Sequence, residues 1–289
     1  MEQKKTEPLF YTSDWHIHTE ASYDAELTAE QLAEGCRAQG IVRCGITDHV
    51  NLPSWGDTLL KSKKNLERCS ELGMSGLYLG VELTTRAKHV CDYDRLHPGE
   101  RSPIWDGATA QDEIELTLTA EELAGYGVNY VLGAAHWFLT NTKDAECVVR
   151  DMHRQNMWLA QDPRVNIVGH PFWIYGELDT PKGKKPFDDM SLISWQMREE
   201  FGAALLENKK AVEYNLSSFA IPSCGHSESF CYAYAEFIRG LYEQGVPVTI
   251  GSDEHGHGGG YGNYQSDARK YLSAAGFKPG DFAEPKLGE

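Results

Sequence analysis

The chain has 289 residues, a formal net charge of −16 and a hydrophobic fraction of 41%. That length suits one α/β barrel with a buried core. No apolar stretch approaches the roughly 20 residues of a membrane span, and the acidic balance disfavours a long nucleic acid as partner.

The polar segment Met1 to Pro8 lacks the apolar core of a secretory signal. Seven cysteines (Cys36, Cys44, Cys69, Cys91, Cys147, Cys224, Cys231) form no CxxC pair, and an odd count reads as reduced thiols. Together these features predict a cytoplasmic protein.

From Phe10 onward, strand-like runs alternate with helix-like runs, which predicts βα units and a mainly parallel sheet. Phe10 to His16 reads as the first strand, followed by a helix over Thr28 to Gln39 with a capping-box pattern, Thr28 and Gln31. Further strands are expected at Ile41 to Thr47, Gly76 to Glu82, Tyr130 to Ala134, Val165 to Val168, Ala211 to Tyr214 and Pro247 to Gly251. Helices are expected over Thr58 to Leu72, Thr119 to Tyr126, Asp144 to Ala160, Ser191 to Asn208, Ser229 to Gln244 and Ser266 to Ala275. Seven units over residues 10–277 predict one distorted (β/α)7 barrel with tails at 1–9 and 278–289. Two segments, 84–118 and 174–187, break the alternation and read as lids or specificity loops. The first carries Lys88, His89, His97 and Arg101.

Six of the eleven histidines fall at or just after the C-terminal ends of these runs. His16 and His18 alternate on one strand, so both imidazoles share a face and can hold one metal. His49, His136, His170 and His255 occupy the same class of position, with carboxylates Asp24, Glu82 and Asp253 beside them. A carboxylate among imidazoles at a strand end is costly unless metals neutralise it, so Glu82 reads as a bridging ligand. Asp14 is placed to orient a liganding imidazole through its second ring nitrogen.

In order, His16-Ile17-His18, Thr47-Asp48-His49, Gly80-Val81-Glu82, Gly133-Ala134-Ala135-His136, Gly169-His170-Pro171 and Ser252-Asp253-Glu254-His255 resemble the motifs of the PHP (polymerase and histidinol phosphatase) metallohydrolases. The resemblance spans Asp14 to Phe277. It implies two to three divalent ions (Zn, Fe or Mn). His16, His18, Glu82 and Asp253 would hold one, Glu82, His136 and His170 a second, and Asp24, His49 and His255 a third. It also implies hydrolysis of a small phosphomonoester by metal-bound hydroxide, with Asp253 or His255 moving the proton.

Val212-Glu213-Tyr214-Asn215-Leu216-Ser217-Ser218 is similar to a segment of the histidinol-phosphate phosphatases, in which an Arg that holds substrate phosphate follows. Here Phe219-Ala220-Ile221-Pro222 follows instead. Arg86, Lys88 and Arg43 are therefore the candidate anion contacts, with Lys143 behind them. The competing readings are a small-nucleotide phosphodiesterase and an amidohydrolase-type C–N hydrolase.

Overall fold

Seven strands run parallel and in sequence order: β1 (Ser13–Ile17), β2 (Arg43–Ile46), β3 (Leu77–Ala87), β4 (Tyr130–Ala134), β5 (Ile167–Val168), β6 (Ala211–Asn215) and β7 (Val248–Gly251). The last returns to the first, where Asp253 N–H donates to the His16 carbonyl at 2.7 Å and His18 N–H to the Glu254 carbonyl at 3.0 Å. This computed structural model, which describes residues 8–100, 112–219 and 226–288, is thus the expected nearly closed α/β barrel.

The expected helices form near their sequence signals, and one more, over Lys88–Leu96, forms inside the segment expected as a lid or specificity loop. Thr28 and Gln31 close a capping box at α1 (Ala29–Ala38). Next come α2 (Asp57–Glu71), α3 (Lys88–Leu96) and α4 (Ala120–Tyr126), the last capped by Thr119 and Glu122 in the same way. Side-chain caps from Asp144, Ser194 and Ser227 start α5 (Ala145–Gln161), α6 (Trp195–Glu207) and α7 (Glu228–Glu243), ahead of α8 (Gln265–Ala274). Each cap satisfies a backbone N–H that the helix leaves orphaned, which is why these boundaries could be read locally.

The floor of the barrel is a plug of large side chains. Tyr130 is fully buried, donates its hydroxyl to the Trp15 carbonyl at 2.7 Å and meets the Trp15 ring edge-on at 5.7 Å. Gly45 and Gly80 make room for it, since a Cβ at either position would strike the Tyr130 ring or hydroxyl. Gly45→Ala is therefore expected to cost about 1–3 kcal/mol by overpacking. Equal denaturant midpoints for the two proteins would contradict that.

The segments that break the alternation are ordered where described. β3 continues past Glu82 to Ala87, α3 follows, and Ile114–Leu116 returns antiparallel to β3. Within 174–187, Glu177–Thr180 and Gly183–Pro186 form a hairpin. The C-terminal segment expected as a tail runs under the floor instead. Ala283 N–H donates to Val248 and Gly288 N–H to Asn129, both at 2.7 Å, and Phe282 stacks on Phe277.

Candidate metal centre

All nine residues expected as ligands converge at the C-terminal end of the barrel. His16 Nε2, His18 Nε2, Glu82 Oε2 and Asp253 Oδ1 lie 3.0 to 3.6 Å from one another along the contacts that join them. Four ligands about 2.0–2.1 Å from a tetrahedral ion sit roughly 3.3 Å apart, so this group has the dimensions of a metal shell. The other Glu82 oxygen, Oε1, faces His170 Nε2 at 2.9 Å and His136 Nε2 at 3.1 Å. One carboxylate thus presents an oxygen to each of two neighbouring groups. Asp24 Oδ2 lies 3.4 Å from His49 Nε2 and 3.8 Å from His255 Nε2, outlining a third.

Glu82 Oε2 is buried and accepts no hydrogen bond, although His49 Nδ1 comes within 2.7 Å. A shielded carboxylate oxygen among imidazole nitrogens with no well-formed hydrogen bond is costly as it stands. A cation at that point would resolve the cost, so the donor set fits divalent metal ions.

Several contacts hold these side chains from behind. Glu213, buried in β6, accepts from His16 Nδ1 at 2.7 Å and from the His170 backbone N–H at 2.6 Å, and so fixes one member of each of two groups. Thr84 Oγ1 meets His136 Nδ1 at 2.7 Å, and Asn215 Nδ2 donates to Asp253 Oδ2 at 3.2 Å. Asp14 does not orient an imidazole. The pairing register of β1 with β2 shifts between Asp14 and Ile17, which breaks the two-residue alternation. Trp15 enters the floor cluster, while the Asp14 carboxylate accepts from Ser252 N–H at 2.9 Å and the Tyr261 hydroxyl at 2.6 Å, sealing β1 to the residue after β7. Burial raises its carboxyl to about 6.

Electrostatics in the cluster follow from six imidazoles around few carboxylates. Burial disfavours charge on His49, but Glu82 and Asp24 outweigh it and lift its pKa to about 10. Burial prevails at His136, which drops to about 4 despite Glu82. Burial would raise Asp24, yet the hydrogen bond and charge of His49 hold it at about 2. Asp253 is likewise kept well below the carboxylate range, because His16, His18 and His255 outweigh its burial. As a permanent anion it is a weak proton carrier. His255 spends Nδ1 on the Asp253 carbonyl at 2.9 Å, so Nε2 alone is left either to ligate or to move a proton.

Above the cluster opens a cavity of about 590 Å³, with Tyr23, Asn51, Trp137, Trp173, Tyr175 and His257 among its lining. His257, which no motif singles out, also lies there, and its ring stacks 5.7 Å from His255 at the start of a glycine-rich stretch, Gly256 to Gly262. None of the expected anion contacts lines the cavity. Arg43 begins β2 at the opposite end of the barrel, paired with Glu284. Lys88 pairs with Asp92 one turn along α3, and Arg86 is buried behind Trp137 with its guanidinium 3.5 Å over the indole. His89 and His97 do not line it either, and Arg101 lies outside the described residues. Among the described residues no lysine or arginine lines the cavity.

A family model described as PHP domain matches residues 14–217. Histidinol phosphate phosphatase from Lactococcus lactis subsp. lactis Il1403, solved with zinc, L-histidinol and phosphate, is similar in fold, with 16% identity and a TM-score of 0.59 over 96% of this chain and all of that one. Ochratoxinase from A. niger is a looser likeness, with 12% identity and a TM-score of 0.45 over 97% of this chain and 73% of that one. No curated protein matches the sequence. No helix of the described residues is long and apolar enough to cross a membrane, and the six described cysteines form no disulfide.

Proposed function

The chain belongs to the PHP domain family, and on that premise we propose that it is a metal-dependent phosphoesterase acting on a small phosphomonoester. His16, His18, Glu82 and Asp253 hold one divalent ion, Glu82, His136 and His170 a second, and Asp24, His49 and His255 a third, drawn from Zn, Fe or Mn. The observation that carries this reading is Glu82, whose two oxygens serve two groups of ligands from one buried side chain. When bound, such ions supply charge for the phosphate oxygens and activate water at neutral pH.

The chain's own groups do the rest. The cavity seats the ester above the ligand cluster, and Glu213, Thr84 and Asn215 keep the imidazoles and Asp253 from turning. Water attacks phosphorus, a new P–O bond forms as the ester P–O bond breaks, and the proton lost from water ends on the leaving alcohol. Asp253 and His255 are the two candidate proton carriers, and His255, whose Nδ1 is held by the Asp253 carbonyl, serves only while its Nε2 is not ligating the third ion.

Chelation is expected to abolish turnover, and adding back Zn, Fe or Mn to restore it, with elemental analysis giving two to three ions per chain. The decisive assay sets the reconstituted protein against phosphomonoesters, phosphodiesters and amides. Cleavage of amides or diesters without any phosphomonoester would sink the proposal.

A further inference from the structure

The cavity walls are aromatic, and Arg86, behind one of them, is turned to a different use from the expected one. Tyr23 and Tyr175 stand 65% and 78% exposed at the rim, and Tyr175 stacks on Trp173 with ring centroids 5.9 Å apart. Exposed aromatic rings around a concave site mark a surface that packs against something planar and apolar. Among the described residues no lysine or arginine lines the cavity, so no guanidinium or ammonium there would pair with a second phosphate or a carboxylate on the same substrate.

Arg86 excludes the opposite charge. Glu82, Thr84 and Arg86 follow one another at two-residue intervals on β3. Arg86 is 2% exposed, and its guanidinium lies 3.5 Å over the Trp137 ring and donates from Nε to the Asn51 carbonyl at 3.1 Å. The electron-rich indole that an organic cation would seek is therefore already serving a cation. A second positive charge across that ring would face Arg86 at roughly 7 Å in a low-dielectric wall, a repulsion of about tenfold or more in affinity.

We propose that the cavity selects a phosphate ester whose leaving group carries an uncharged planar aromatic ring, and that the Arg86–Trp137 stack rejects leaving groups bearing an ammonium. The proposal rests on the phosphoesterase reading for its reaction, though not for its binding. Benzyl, n-butyl and 2-aminoethyl phosphates are all esters of primary alcohols, so their comparison on the metal-reconstituted protein separates ring recognition from most differences in leaving-group reactivity. Calorimetric binding of benzyl-, butyl- and 2-aminoethylphosphonate gives the same comparison without turnover.

Benzyl is expected to exceed butyl by about fivefold to tenfold and 2-aminoethyl to rank last, in both kcat/KM and affinity. Tyr175→Ala should narrow the benzyl-over-butyl ratio, and Arg86→Met should raise 2-aminoethyl relative to butyl. Equal handling of the three ligands, or a ranking untouched by Tyr175→Ala at its exposed position, overturns the proposal. If no phosphomonoester is hydrolysed yet the phosphonates keep the aromatic ranking, the assigned reaction fails and the pocket assignment stands.

Discussion

Glu82→Gln is expected to empty two metal groups at once and to lower phosphomonoester kcat/KM by roughly a thousandfold or more, since several kcal/mol of transition-state charge stabilisation go with the ions. The amide keeps the volume and the acceptor oxygen but loses the charge and the second anionic oxygen. Both are in use, because Oε2 faces His16 and His18 while Oε1 faces His136 and His170. The same change destabilises the metal-free protein, and the sign of its pH dependence is fixed. The folded pKa of His49 stands at about 10, raised from 6.5 against burial by Glu82 and Asp24. The stability gained from that pairing is therefore fully present below about pH 6.5 and fades as pH rises through 10. Thermal unfolding of metal-free wild type and variant should differ by about 3–5 kcal/mol near pH 6, and the gap should shrink by pH 10. A gap that widens with pH, or stoichiometric zinc in the variant, would show that Glu82 neither bridges nor balances His49.

The ligand cluster was legible because strand ends and short motifs are local signals. A histidine after an apolar run points to the barrel's C-terminal face whatever the rest of the chain does. The contacts that support the cluster are non-local, and there the sequence reading failed in instructive ways. Asp14 looked suited to orient His16 because regular alternation puts residues two apart on one face. The register shift in β1 spoils that count, and Glu213, 197 residues away, takes the role. Its signal was present as a lone carboxylate within Ala211–Asn215, a strand buried at every position. Arg43, Lys88 and Arg86 were chosen by charge alone. Charge does not report that a salt bridge to the C-terminal segment, an intrahelical pair and an indole face had already engaged them. The extension of β3 past Glu82 was missed because Thr84 and Thr85 read as loop residues, although their burial and their pairing with Leu116 and Ala134 make them strand.

Glu213→Gln tests whether the supporting contacts matter as much as the ligands they hold. One oxygen fixes the His16 ring through Nδ1, which commits Nε2 to the first metal group, and the other holds the His170 backbone N–H beside the second. Glutamine offers a single carbonyl oxygen, and its NH2 would meet a donor at whichever contact it faces. One of the two groups must then loosen. Metal affinity is expected to fall about tenfold to a hundredfold at one site, the usual scale for losing a partner behind a metal-ligating histidine. The other site should move less, so metal titration of the variant separates into two phases where wild type shows one. Glu213→Ala removes both contacts and should weaken both phases together. A purely structural Glu213 would lower unfolding temperature in both variants without splitting the titration, and a single unshifted phase in Glu213→Gln would refute the positioning role.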